Sequence, residues 1–149
     1  MKKAVSIVAT VLALTLVLVG CGSKQADTST LVDGSYRAEM SDAYADNEGH
    51  GWKGYVVLTV TDGAIADVDF DYSNGEGALK SEQSQEEYPM DPHPSTWIPE
   101  LEKQGKEASS ADDIDAITDA TASSGEFKEL YTAALDAAKA GNQETIVLH

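Results

Sequence analysis

The amino-acid sequence predicts an α+β fold in a single domain, in which a small twisted antiparallel sheet has a C-terminal amphipathic helix packed on it. Strand-like segments come first in the chain, and the strongest helical pattern comes late. No internal repeat and no alternation of strands with helices is visible, and such alternation would indicate a parallel sheet. Without the N-terminal leader described below, the chain is long enough for one domain with its own core and too short for two.

The sheet is predicted mainly from two segments joined by a tight turn. Residues 52–61 are rich in β-branched and aromatic side chains, and Asp62-Gly63 is a strong hairpin signal. Residues 65–72 continue the apolar pattern on a returning strand. Two shorter strands are predicted at residues 35–40 and 145–148.

Three aspartates on the returning strand share one face. Asp67, Asp69 and Asp71 alternate with apolar residues, so this face of the sheet is predicted to meet water. The same carboxylates also resemble the start of a calcium-binding loop. Tyr72, however, stands where a glycine should turn such a loop, and the solvated strand face is the preferred interpretation.

The remaining stretches before the C-terminal helix are predicted to be mostly irregular. Residues 41–51 are turn-rich, and residues 73–94 form a charged loop with helical turns from 81 to 88. A short helix is predicted from about residue 95 to residue 104. It carries three large apolar residues: Trp97, Ile98 and Leu101.

The best amphipathic pattern in the chain predicts a C-terminal helix that ends at Gly141, where a positive φ is favourable. Ser123 is predicted to cap the N-terminus of this helix, and Glu126 to complete a capping box with it. The apolar residues that form one buried face are Phe127, Leu130, Tyr131, Ala134, Leu135 and Ala138.

The ten residues 115–124 lead into this helix and give the strongest indication of function in the chain. Thr118 and Thr121 lie just before the predicted cap, among small or polar neighbours. Their hydroxyl groups are therefore expected at the positive end of the helix dipole, where a phosphate group is favoured.

The sequence of this loop, Asp-Ala-Ile-Thr-Asp-Ala-Thr-Ala-Ser-Ser, resembles the Asp-x-x-Ser/Thr-Gly-Ala-Thr-x-Ser/Thr-Ser signature of FMN-binding domains. That family includes a subunit of sodium-pumping quinone reductases and small surface lipoproteins. Residues 33–148 as a whole are similar to the small lipoprotein branch, including the segments DGSY, GWKGYVVLTVTDGAIADVDFDY and FKELYTAALDAAKAGNQETIVL.

The resemblance implies that FMN is the cofactor and that a flavin transferase can join its phosphate to Thr121, with covalent and non-covalent binding both left open. One position departs from the signature, because Asp119 stands where the family has glycine; if that position needs a positive φ, aspartate is the poorer occupant. The implied cofactor-binding residues are Thr118, Asp119, Ala120, Thr121, Ser123 and Ser124.

Flat aromatic side chains are expected to cover the flavin ring, because stacked rings gain energy beyond their buried area. The chain offers Trp52, Tyr55, Tyr72, Tyr88 and Trp97. Trp52, in a glycine-flanked loop that ends at a strand, is the predicted ring contact, although each of these residues could equally belong to the core.

The N-terminus has the layout of a bacterial lipoprotein. Two lysines precede an uncharged, mostly apolar run, and Leu18-Val19-Gly20-Cys21 resembles a lipobox. Residues 1–20 are therefore predicted to be a signal peptide, with Cys21 lipidated, residues 21–32 a flexible tether, and residues 33–149 the FMN-binding domain. The alternative is an uncleaved anchor, but the apolar run is shorter than a bilayer span.

Charge and composition exclude several classes of function. The formal net charge of −16 disfavours nucleic acid as a partner and disfavours anionic lipid as a partner of the protein surface. Contact with the membrane must then come through the lipid on Cys21. No metal site is predicted, because His50, His93 and His149 share no ligand spacing. No catalytic residue is predicted, since no histidine is tied by position to a nucleophile.

These observations predict an extracytoplasmic lipoprotein that binds FMN and carries electrons for an unknown redox partner, rather than a stand-alone enzyme. The lipidated N-terminal cysteine would anchor it to the bacterial cell membrane. Two alternatives remain open. One is a lipoprotein that binds a small ligand without a redox role, and the other is a structural surface lipoprotein whose flavin loop has decayed.

Overall fold

The computed structural model describes residues 30–149. The predicted signal peptide, Cys21 and most of the predicted tether lie outside these residues. Within the described range, no helix is both long enough and apolar enough to cross a membrane. Val32, which the sequence assigns to the tether, already belongs to the domain, because its N–H donates to the carbonyl of Ala138 at 3.0 Å.

Residues 30–149 form four strands and three α-helices, and the predicted α+β class is confirmed. The elements are β1 (Gly34–Met40), α1 (Asp42–Asn47), β2 (Lys53–Thr61), β3 (Ala64–Ser73), α2 (Pro94–Glu107), a 3₁₀ turn (Ala111–Asp113), α3 (Thr121–Ala140) and β4 (Ile146–Leu148). The strand order in the sheet is β3-β2-β1-β4.

The sheet is mixed rather than purely antiparallel. β2 pairs antiparallel with both β1 and β3, but β4 lies parallel to β1. A parallel neighbour needs a long crossover connection, and the 20-residue α3 before β4 is long enough to supply it. α1 also differs from the prediction, since it replaces part of the turn-rich stretch. Its first turn is capped by Ser41, whose hydroxyl accepts from the N–H of Tyr44 at 3.2 Å.

The predicted hairpin between β2 and β3 is confirmed. Asp62 and Gly63 both have positive φ, 54° and 75°, as a two-residue type I′ turn requires. A register shift follows at Thr59 and Val60, close to the turn. The opposite end of the hairpin, around Tyr72, is the end that reaches the candidate functional site.

α3 packs its apolar stripe against one face of the sheet, as predicted. Phe127, Leu130 and Tyr131 are fully buried, and the helix ends at Gly141 with φ 68°. α2 packs beside α3 and is longer than predicted. Gly105 of α2 lets the two helices approach closely, because a Cβ atom there would lie 3.1 Å from the ring of Phe127.

Asp71 contradicts the prediction of a solvated aspartate face. Asp67 and Asp69 are exposed, but Asp71 is only 4 % exposed. Its carboxylate accepts hydrogen bonds from the backbone N–H and the hydroxyl of Ser81, and from the N–H of Tyr72 at 2.7 Å. Asp71 therefore fixes the loop after β3 against the end of that strand.

Candidate functional site

The start of α3 differs from the predicted capping box. The helix begins at Thr121, and its N-cap residue, Ala120, makes no side-chain hydrogen bond. Ser123 and Glu126 lie inside the helix, so neither acts as a cap. Ser124, which is fully buried, instead locks the loop: its hydroxyl accepts from the N–H of Ile117 and donates to the carbonyl of Ala120, both at 2.9 Å.

The residues before α3 form a tight turn with an unusual occupant. The N–H of Ala120 donates to the carbonyl of Ile117 at 3.1 Å, which closes a four-residue turn. Asp119, the third residue, has φ 63°, whereas Thr118 has no positive φ. That combination is typical of a type II turn, whose third position favours glycine. Asp119 therefore occupies a position where a Cβ atom is unfavourable.

Thr121 is exposed at the start of α3, as is Thr118 in the preceding turn. Within residues 30–149, the backbone N–H groups of Thr121, Ala122 and Ser123 have no hydrogen-bond acceptor. Free N–H groups and the helix dipole together favour an anion at this end of the helix. Thr121 thus presents a hydroxyl group where a phosphate would be held.

A second feature lies beside the first turn of α3. We call it the aromatic cage, and it consists of the rings of Trp52, Tyr72 and Tyr88 around the side chain of Lys80. The Lys80 Nζ atom lies 3.6 Å from the Tyr72 ring centre, 5.3 Å from that of Tyr88 and 5.6 Å from that of Trp52. Lys80 is 6 % exposed, and its backbone N–H is fixed by the carbonyl of Tyr72 at 2.9 Å.

The environment of Lys80 disfavours the charged form of its side chain. Burial lowers the pKa of its ammonium group to about 8, while the carboxylates of Glu126 and Asp71 act in the opposite direction. Within the described residues Lys80 forms no ion pair and no hydrogen bond through Nζ, so its nearest contacts are the aromatic faces. Such cation–π contacts offset only part of the cost of burying a charge.

Glu126 connects α3 to the cage. Its Oε2 atom accepts from the Tyr44 hydroxyl at 3.5 Å, and its Oε1 atom is buried without a hydrogen-bond partner among the described residues. The carboxylate lies directly over Gly54 of β2, where any Cβ atom would overlap with Oε1. Burial raises the pKa of Glu126 to about 7, and the positive charge of Lys80 opposes that rise.

Tyr72 places the cage next to the predicted phosphate site. Its hydroxyl is buried, and no group in the described part of the chain forms a hydrogen bond with it in good geometry. Burial raises the pKa of Tyr72 far above its usual value, Glu126 adds to the rise, and the neighbouring Ser123 hydroxyl lowers it. Ser123 is two residues beyond Thr121 in α3, about 3 Å along the helix axis.

The residues present fit FMN, a ligand with an anionic phosphate at one end and a flat ring at the other. The start of α3 supplies free N–H groups and the Thr121 hydroxyl for the phosphate. Trp52 and Tyr88, the two half-buried members of the cage, supply aromatic surface. The Tyr72 hydroxyl and Glu126 Oε1, which have no hydrogen-bond partner among the described residues, supply polar groups. Trp52, the predicted ring contact, forms one wall of the cage and packs edge-on against Tyr88 at 6.0 Å. Its contact with the flavin stays a prediction.

Sequence reasoning missed Lys80 and gave Glu126 the wrong role. The only local signal for Lys80 is that it is the single basic residue in the strongly acidic stretch 73–91. Glu126 is 46 positions further along the chain, so no spacing pattern could connect the two. The hydroxyl of Ser124, one of the predicted cofactor-binding residues, holds the loop through its hydrogen bonds, and a contact of Ser124 with FMN stays a prediction.

The Glu126 carboxyl leads to a pH prediction. Its pKa is about 7 in the folded protein, against 4.5 for an unperturbed glutamate, so the folded state holds the proton more tightly. Stability contributed by this proton is present below about pH 4.5 and is lost as pH rises to about 7. We therefore expect Glu126→Gln to melt at a higher temperature than wild type at pH 8, with a smaller difference at pH 5. Glu107→Gln, an exposed change at the end of α2 whose charge does not contribute to the raised pKa of Glu126, is the control and should show no such pH dependence.

Comparison with known proteins identifies the family. The FMN-binding domain family matches residues 49–136, which include the cage and the start of α3. The chain is 31 % identical over 123 residues to the 15 kDa lipoprotein of Treponema pallidum (strain Nichols). This match covers 80 % of the present chain and 84 % of the Treponema protein. The crystal structure of the CPE2226 protein from Clostridium perfringens superimposes with a TM-score of 0.70 and 35 % identity, and covers 79 % of this chain and 97 % of that one. The chain belongs to the FMN-binding domain family, and FMN is its cofactor.

Proposed function

We propose that this protein is a lipid-anchored FMN carrier outside the cytoplasm, with the flavin joined through its phosphate to Thr121. The observation that carries the proposal is the environment of Thr121. Its side chain is exposed at the first position of a 20-residue helix, and the N–H groups of Thr121, Ala122 and Ser123 have no acceptor among residues 30–149. A phosphate ester on this hydroxyl would lie against those groups.

The chain itself would bind, shield and tune the cofactor. FMN, when bound, supplies the electron-transfer chemistry. The start of α3 would hold the phosphate, Ser124 would keep the preceding loop in shape, and the aromatic cage would cover part of the ring. A carrier needs no nucleophile or general base of its own, and the site described above contains no nucleophile hydrogen-bonded to a histidine base.

The visible absorbance of the purified mature protein, produced with a flavin transferase, tests the proposal. Flavin absorbance that remains with the protein after denaturation and gel filtration supports covalent attachment. Absorbance that separates from the denatured chain indicates bound FMN without the ester. Absence of flavin would favour the structural alternative, for which Asp119 in the glycine position is the specific observation.

Replacing Asp119 by glycine should improve flavin attachment. Glycine adopts φ 63° without strain, and the change removes a negative charge from the approach of the phosphate. Asp119 is exposed, so water screens this repulsion to about 1 kcal/mol at a separation of 4 Å. We expect a moderate rise in the rate of flavin attachment, measured by intact mass during coexpression. Asp119→Asn, which keeps a side chain but no charge, separates the two causes. Equal attachment in all three proteins would show that this departure from the signature has no effect.

The membrane anchor is the second part of the proposal. The similar Treponema protein is described as a lipoprotein, and the sequence before Cys21 resembles a lipobox. We expect Cys21→Ser to move the protein from the membrane fraction to the medium, or to leave it as unprocessed precursor. Labelling with a radioactive fatty acid provides the direct measurement. Lipid-labelled protein in this variant would contradict the assignment of Cys21.

A further inference from the structure

Lys80 is more deeply buried than its role in the fold requires. Its ammonium group is surrounded by the three rings of the aromatic cage, and it forms no ion pair within residues 30–149. A methionine of similar length would fill the same space without the cost of burying a charge. The cation–π contacts and the carboxylates of Asp71 and Glu126 recover only part of that cost, so packing alone does not account for a cation at this position.

The neighbours of Lys80 are also incompletely satisfied. The Tyr72 hydroxyl and Glu126 Oε1 are both buried, and neither has a hydrogen-bond partner among the described residues. Buried polar groups in folded proteins are nearly always paired with protein, water or ligand. One unpaired cation and two unpaired polar atoms around the same aromatic rings point to a ligand with polar groups on a flat ring.

The position of the cage agrees with the cofactor of this family. Glu126 of α3 and the ring of Tyr72 border the same point above Gly54, where a Cβ atom would overlap with Glu126 Oε1 and lie 3.1 Å from the Tyr72 ring, and Glu126 is five residues beyond Thr121. In FMN the ribityl chain separates the phosphate from the ring. A phosphate held at Thr121 would therefore leave the ring within reach of the cage.

We propose that Lys80 is the residue that stabilises the reduced form of the bound flavin and so sets its reduction potential. This inference rests on the proposed FMN site. Reduction by dithionite, which is oxidised to sulfite, adds two electrons to FMN and takes one proton from solvent. The ring therefore gains one net negative charge. A neighbouring cation in a partly dehydrated site favours that charged form over the oxidised one. The surface, with its formal net charge of −16, has the opposite effect, and Lys80 counters it locally.

The test is the midpoint potential of the FMN-loaded protein at pH 7, measured by dithionite titration with reference dyes. Lys80→Met should weaken the preference for the reduced form about ten- to hundredfold, which lowers the potential by about 30 to 60 mV for a two-electron couple. Lys80→Arg, which keeps the charge, should restore most of the wild-type value. Lys80→Gln serves as a second neutral variant, for use if Lys80→Met loads poorly.

Lys106→Met is the matched control. It also removes one lysine charge, but Lys106 is exposed and pairs with Asp67 at 2.6 Å near the other end of β3. Asp67 and Tyr72 are five residues apart on that strand, about 16 Å. Lys106→Met should leave the potential unchanged.

The outcomes separate the inference from the function on which it rests. Intact mass and the visible spectrum first establish that the wild-type protein carries FMN, and their failure would overturn the proposed function. If FMN is present and the neutral Lys80 variants match Lys106→Met in potential, the inference is wrong. A change in melting temperature without a change in potential would likewise assign Lys80 a purely structural role.

Discussion

Thr121→Ala should abolish the addition of FMN mass to the mature protein when it is coexpressed with a flavin transferase. The alanine lacks the hydroxyl oxygen that would form the phosphate ester, so we expect no FMN attachment at this position. The fold should be little affected, because Thr121 is exposed and its side chain makes no hydrogen bond in the described structure. Alanine is also a good residue for the first turn of a helix. Intact-mass spectrometry of wild type and variant gives the result directly.

Thr118→Ala is the matched control for this experiment. Thr118 is also exposed, and it lies three residues earlier in the same loop, but it belongs to the turn and not to the helix. It should therefore load as wild type does. Peptide mapping that places the FMN on Thr118, or full loading of Thr121→Ala, would show that the attachment site is misassigned. Thr121→Ser keeps a hydroxyl group and tests whether the transferase also needs the threonine methyl group.

The main elements of this fold could be predicted because their signals are local. The apolar stripe of α3 repeats with helical period over several turns, and Gly141 ends it at a position that requires a positive φ. The hairpin was equally clear, since Asp62-Gly63 suits only a few turn types. The orientation of β4 could not be read in this way. Its partner β1 is more than 100 residues away, and a three-residue strand carries no signal for parallel pairing.

The start of α3 shows how tertiary contacts override a local rule. Ser123 and Glu126 have the spacing of a capping box, but both lie inside the helix, and the Glu126 carboxylate accepts from the Tyr44 hydroxyl instead. The hydroxyl of Ser124 holds the loop in place, so the helix can begin at Thr121 without a side-chain cap. Glu126 is then free to turn towards Gly54. The consequence for function is favourable, because an uncapped helix start leaves its N–H groups available to an anion.

The cage could not be predicted from sequence because its members come from separate elements. Trp52 precedes β2, Tyr72 is the second-last residue of β3, and Lys80 and Tyr88 lie in the loop that follows. Only the fold brings them together, and only burial shows that the lysine is unusual. Asp71 is a related case. The alternating pattern predicts that its carboxylate meets water, but Asp71 is buried and accepts hydrogen bonds from Ser81. These bonds hold the loop that carries Lys80.

Leu130→Ala should produce the largest loss of stability among the changes considered. Leu130 is fully buried in the middle of α3, where the helix packs on the sheet. Removing its buried methyl and methylene groups loses transfer free energy and leaves a cavity, at a cost of about 2 to 5 kcal/mol. For a domain of this size that loss corresponds to a fall in melting temperature of about 8 to 20 °C. Leu135→Ala, at 5 % exposure, should behave similarly.

Two neighbouring changes on the outer side of α3 serve as controls for this measurement. Glu129 is exposed and Lys128 is half-buried. Glu129→Ala and Lys128→Ala should each lower the free energy of unfolding by less than about 0.5 kcal/mol. Thermal unfolding followed by circular dichroism compares all four variants. Because Leu130 is about two and a half turns beyond Thr121, Leu130→Ala should still accept FMN at temperatures where it is folded. Small and equal losses in every variant would mean that α3 does not pack on the sheet, and the phosphate site at its start would then lose its support.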